Sequence, residues 1–112
     1  MDVTSQRTGG ALIVSVEGRV DGANARKFQK AVESVIEDDD GAVILDMEHL
    51  SYISSAGLRS ILLIAKGLQK RNSQFAVCSL QDAIGEVFRI VGFDKIVTIH
   101  SSQGEAVSAM GS

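Results

Sequence analysis

The sequence predicts a single α/β domain: a mixed, mostly parallel sheet of about 4–5 strands flanked by about four helices. Three observations predict it. Short apolar runs alternate with stretches whose apolar residues recur at helical spacing. A turn signal, Gly9-Gly10, follows the first few residues and argues against an all-parallel sheet. The 112 residues hold no proline, repeat or low-complexity stretch, so one domain spans residues 1–112.

The elements follow in order. Residues 2–8 form a weakly signalled first strand, and Gly9-Gly10 turns it into a second. There Leu12, Val14 and Val16 alternate with Ile13 and Ser15 up to Gly18. Ala25, Phe28, Ala31, Val32, Val35 and Ile36 recur at helical spacing, with Asp21 or Asn24 as the cap and Gly41 as the stop. The acidic run 37–40 reads as the solvated end of that helix and the turn after it. Ala42–Leu45 is continuously apolar, as in a strand buried on both faces. A polar loop from Glu48 to Ser51 precedes a second helix, opened by Ser54-Ser55-Ala56-Gly57. Its stripe is Leu58, Ile61, Leu62, Ala65 and Leu68, widened by Leu63 and Ile64; basic residues at its end suit the helix dipole. Phe75–Cys78 is a further strand. Ala83, Ile84, Val87, Phe88 and Val91 mark a third helix stopped by Gly92. Ile96, Val97 and Ile99 read as a last strand, and residues 102–110 as a short terminal helix.

Composition excludes several functions. Net charge is −3 and aromatics are 4%, so the chain lacks the basic stripe and the stacking platform of a direct nucleic-acid binder. A single cysteine, Cys78, rules out an internal disulfide and a cysteine-rich zinc site. Two histidines, His49 and His100, are too few for a histidine metal cluster, so no metal or cofactor is expected. No apolar run approaches the ~18 residues of a membrane span, and the N-terminus is no signal peptide. The expected location is the cytoplasm.

An enzyme is not expected. Ser55 stands in Ile-Ser-Ser-Ala-Gly, not in a nucleophile elbow, and no phosphate-binding glycine loop occurs. His49, in a polar loop, reads as solvated, and His100, at a strand end, as structural or exposed. Cys78 falls in an apolar strand, as a buried, inert thiol does. Asp46 ends a buried strand as a receiver aspartate would. The acidic pair and the late lysine of a receiver are missing, so Asp46 reads as a turn or capping residue.

The informative stretch is residues 45–58, Leu-Asp-Met-Glu-His-Leu-Ser-Tyr-Ile-Ser-Ser-Ala-Gly-Leu. It takes a buried strand through a polar loop to a helix whose start carries two hydroxyls. Helix capping accounts for one of them. A spare hydroxyl at a helix N-terminus suits phosphorylation, because free backbone N–H groups tolerate a dianion there.

From Asp46 to Leu58 this pattern resembles the signature of STAS domains, and specifically of bacterial anti-sigma factor antagonists. Val16-Glu17-Gly18-Arg19-Val20-Asp21, followed by an amphipathic helix, resembles that family's second signature. The order of elements fits as well, so the resemblance covers essentially the whole chain. It implies a mixed sheet flanked by helices, and a switch rather than an enzyme. Unphosphorylated, such an antagonist binds an anti-sigma factor that is also a serine kinase, and the sigma factor is freed. Phosphorylation breaks the complex, and a PP2C-type phosphatase resets it.

The resemblance also implies site residues. The acceptor lies two positions before the motif's glycine, which here gives Ser55. Members often carry aspartate just before it; this chain has Ser54, which would cap the helix or act as a less favoured acceptor. Asp21 falls on the family's loop aspartate, near the acceptor and in contact with the kinase. Gly57 either lets the partner's backbone approach or packs tightly against the sheet. Leu58 belongs to the core or to the rim of the docking surface, and Arg59 faces the partner or solvent. Tyr52 and Ile53 are apolar anchors or ordinary loop packing. A monomer is expected. A second reading makes the chain an accessory or scaffold STAS module of a lipid-transport system or a stress-sensing assembly. A small-ligand or nucleotide-binding domain ranks last, since no phosphate loop supports it.

Overall fold

A computed structural model describes residues 1–110; Gly111 and Ser112 lie outside the described residues. Strands β1 (Asp2–Thr8) and β2 (Ala11–Val20) form an antiparallel hairpin. Gly9 and Gly10 both have positive φ, at 58° and 83°. A two-residue turn that matches the strand twist requires this, and glycine adopts it without strain.

Beyond β2 the sheet is parallel. Strands β3 (Ala42–Asp46), β4 (Leu50–Ile53), β5 (Gln74–Cys78) and β6 (Thr98–His100) complete it. The main path runs β1-β2-β3-β5-β6, and β4 pairs with the final residues of β2. Every residue of β3 is buried, as its unbroken apolar run implies. Helices α1 (Ala25–Val35), α2 (Ser55–Lys70) and α3 (Asp82–Ile90) pack on one face over a core that includes Phe28, Ile61 and Phe88. Helix α4 (Gln103–Met110) covers the other face, where Ala106 meets Ile13, Ile44 and Cys78. Because β2, β3, β4 and β5 are parallel, their carboxyl ends lie together, and α1, α2 and α3 all start from that end.

Four expectations need correction. The loop before α2 contains β4: Leu50 and Ile53 are buried while Ser51 and Tyr52 point outward. Its backbone supplies the partner that the end of β2 needs, but four residues are too few to register as a periodic pattern. Helix α1 stops at Val35, not near Gly41, because Ile36 is already extended. In the turn that follows, Asp40 is buried rather than solvated, held by Arg7 from β1. The last strand is only Thr98–His100. Phe93–Lys95 forms a single tight turn, and the N–H groups of Ile96 and Val97 bond back to the carbonyl of Phe93.

Candidate functional site

The two sequence signatures meet at the carboxyl end of the sheet. Parallel pairing sets Arg19 beside Tyr52 and Val20 beside Ile53. The N–H of Ser54 then donates to the carbonyl of Val20 at 2.9 Å. The entry to α2 is thereby fixed against the loop that leads into α1.

That loop is tightly bonded. Asp21 Oδ1 accepts the N–H groups of Ala23 and Asn24, at 2.9 and 3.3 Å. Asn24 Oδ1 accepts the N–H of Asp21 at 2.9 Å, and its Nδ2 donates to the carbonyl of Arg19 at 2.9 Å. Asn24 occupies the cap position without a side-chain capping bond, so the two candidate caps share the work of closing the turn. Asp21 is half-buried and sits one residue from the Val20–Ser54 bond.

At the start of α2 the two serines differ. Ser54 is the N-cap, with extended backbone, and its Oγ accepts the N–H of Gly57 at 3.3 Å. Ser55 is the first helical residue and is exposed. Among the described residues its hydroxyl makes no hydrogen bond, whereas Ser51, Ser54 and Ser60 of the same region all do.

Gly57 is buried against the sheet. A Cβ there would stand 2.6 Å from Ile53 Cγ1 and 2.9 Å from Val20 Cγ1. Of its two readings, the structure displays the tight packing. Leu58 is 7% exposed and belongs to the core, while Arg59 is exposed.

Two contributors escaped the sequence reading. Ser60 is buried, and its Oγ donates to the carbonyl of Ala25 at 3.1 Å, bolting α2 to the first turn of α1. The available signal was a hydroxyl residue inside an apolar stripe. The other is the Arg19 guanidinium, 4.3 Å from the centroid of the Tyr52 ring. It holds the half-exposed ring on the surface just before Ser54. Arg19 at the end of β2, Arg26 in the first turn of α1 and Arg59 one turn into α2 are all exposed, and Asp21, in the loop between β2 and α1, is half-buried.

The remaining chemistry-bearing residues lie elsewhere. Asp46 is the buried last residue of β3 rather than a turn residue: Oδ1 accepts the N–H of Glu48 just after the strand at 3.0 Å, and Oδ2 accepts Gln103 Nε2 of α4 at 2.7 Å. His49 is exposed, with its Nε2 3.7 Å from Glu48. Cys78 is fully buried, and that burial pushes its thiol up to about 11. Among the described residues no cluster of three or more His, Cys, Asp or Glu could hold a metal ion. No helix among them is long and apolar enough to cross a membrane.

The arrangement has clear counterparts. Residues 2–106 match the STAS domain family. The chain is 36% identical over 109 residues to BtrV of Bordetella bronchiseptica, whose name assigns it to the anti-sigma factor antagonists; 97% of this chain and 94% of that one are covered. It is 31% identical over 93 residues to the anti-sigma-B factor antagonist of Listeria monocytogenes, covering 82% and 81%. An anti-sigma factor antagonist structure from Mycobacterium paratuberculosis superposes with a TM-score of 0.88 at 23% identity, over 97% of this chain and 92% of that one, and shares the fold. With both signatures joined at one end of this sheet, the chain belongs to the STAS domain family, among the anti-sigma factor antagonists.

Proposed function

We propose that this anti-sigma factor antagonist works as a phospho-switch on Ser55. Unphosphorylated, it docks the carboxyl end of its sheet on an anti-sigma factor that is also a serine kinase, and the sigma factor is released. The kinase passes the γ-phosphoryl group of its bound nucleoside triphosphate to Ser55. The hydroxyl proton departs, an Oγ–P bond forms, and the nucleoside diphosphate leaves. The product carries about −1.5 to −2 more charge on the docking face, and the complex separates. A PP2C-type phosphatase hydrolyses the ester and resets the switch. The chain acts as partner and substrate rather than as an enzyme, as a monomer in the cytoplasm.

One observation carries this reading. Capping is done by Ser54, so the exposed hydroxyl of Ser55 is left without a structural task. The test is a paired pull-down from the native cells, with tagged Ser55→Ala and Ser55→Asp proteins as baits and mass spectrometry as the readout. An ATP-binding serine kinase is expected with the alanine bait and not with the aspartate bait. Identical transporter or assembly subunits on both baits would instead establish the scaffold role.

A further inference from the structure

The chain has six arginines, and four of them have partners within the fold. Arg7 pairs with Asp40, and Arg89 with Glu86. Arg71 donates to the carbonyls of Glu37 and Asp38, and Arg19 lies over Tyr52. Arg26 and Arg59 are the other two: among the described residues neither takes part in an ion pair or a hydrogen bond. Both line one shallow groove between the starts of α1 and α2, together with Gly22, Ala56 and Leu63. Two like charges edging one groove repel each other, yet helix packing and the Ser60–Ala25 bond hold the two helices together there. An anion at the rim would remove that cost.

Ser55 directly precedes Ala56, which lines that groove. It lies four positions before Arg59 on α2, so the two side chains are neighbours on one face of the helix. A phosphoryl group offers the oxygens that a guanidinium fork binds in pairs. We propose that Arg59, backed by Arg26, is the built-in counter-ion of phosphorylated Ser55. Phosphorylation then changes the docking face twice. It adds a dianion, and it withdraws Arg59 from any carboxylate of the partner. The inference rests on Ser55 being the acceptor of the switch.

The test needs no kinase. Phosphoserine is incorporated at position 55 during synthesis, and phosphorus NMR follows its second ionisation in the full chain. With both arginines present, the midpoint is expected roughly half to one pH unit below the ordinary value of about 6. Arg59→Gln is expected to return most of that shift, and Arg26→Gln a smaller part. Arg89→Gln removes the same charge from the last turn of α3 and is expected to leave the midpoint in place. Identical midpoints in the Arg59→Gln and Arg89→Gln proteins would overturn the counter-ion assignment. Failure of the switch itself reads differently: the midpoint shifts as stated, but no kinase-dependent phosphate forms at Ser55 in cells.

Discussion

Ser54 Oγ accepts the N–H of Gly57 at 3.3 Å, and the hydroxyl of Ser55 beside it is exposed. Their effects on folding therefore separate. Ser54→Ala removes a cap and is expected to cost about 1 kcal/mol. Ser55→Ala is expected to stay within about 0.5 kcal/mol of the parent. Urea unfolding of both variants measures this. Equal losses would mean that the cap is shared and that Ser55 has a structural task after all.

At Gly57 the helix packs tightly against the sheet. A methyl group there would meet Ile53 and Val20 well inside contact distance, and both are buried. Gly57→Ala is expected to destabilise the domain by about 1–3 kcal/mol, although alanine ordinarily favours a helix over glycine. A gain in stability in the same unfolding assay would show that α2 can lift away from β4 at little cost.

Both outcomes bear on what the sequence reveals. The serine pair, Asp21 and the buried strand β3 were legible because each depends on local chemistry: a hydroxyl before a helix, an acidic residue before a cap, an unbroken apolar run. Strand β4 was not. Its pairing partner, the end of β2, lies about thirty residues away, and its own alternation is buried-exposed-exposed-buried. Ser60 was hidden for a similar reason. Its partner is a backbone carbonyl of α1, which leaves no mark on composition. The pairing of Arg7 with Asp40 likewise joins an edge strand to a distant turn, so the acidic run 37–40 looked uniformly solvated.

That pairing predicts acid sensitivity. The Arg7 guanidinium donates to both Asp40 oxygens, at 3.0 and 2.7 Å. This bond, more than the added N–H of Glu37, holds the Asp40 carboxyl below its ordinary value of 3.8, against the opposing effect of burial. A carboxyl with a lowered folded value stabilises the fold above its unfolded value and loses that contribution as pH falls through the folded one. The contribution is therefore complete near neutrality and fades below about pH 4. Asp40→Asn is expected to lower the urea midpoint at pH 7 and to narrow its gap from the parent at pH 3. A gap of constant size at both pH values would show that the ion pair contributes nothing to pH-dependent stability.

Cys78 offers an internal reporter for these measurements. It lies in β5 with no exposed surface, and burial raises its thiol to about 11; the neighbouring charges of Asp46 and Glu48 push the same way, against a lowering bond with Ser79. At pH 8 two effects suppress its reaction with a disulfide reagent: the reagent cannot reach the sulfur, and only about a thousandth of the thiol is ionised. Unfolding removes both at once. Labelling of the native protein is expected to be slower than that of the urea-unfolded chain by about a thousandfold or more, as the open state is rare in a stable domain. Where labelling proceeds through global opening, each 1.4 kcal/mol lost from the fold speeds it about tenfold. Gly57→Ala should then label up to about a hundredfold faster than the parent, and Ser55→Ala at nearly the parental rate. Rapid labelling of the native parent would show instead that β5 opens locally beneath α4, without the rest of the domain.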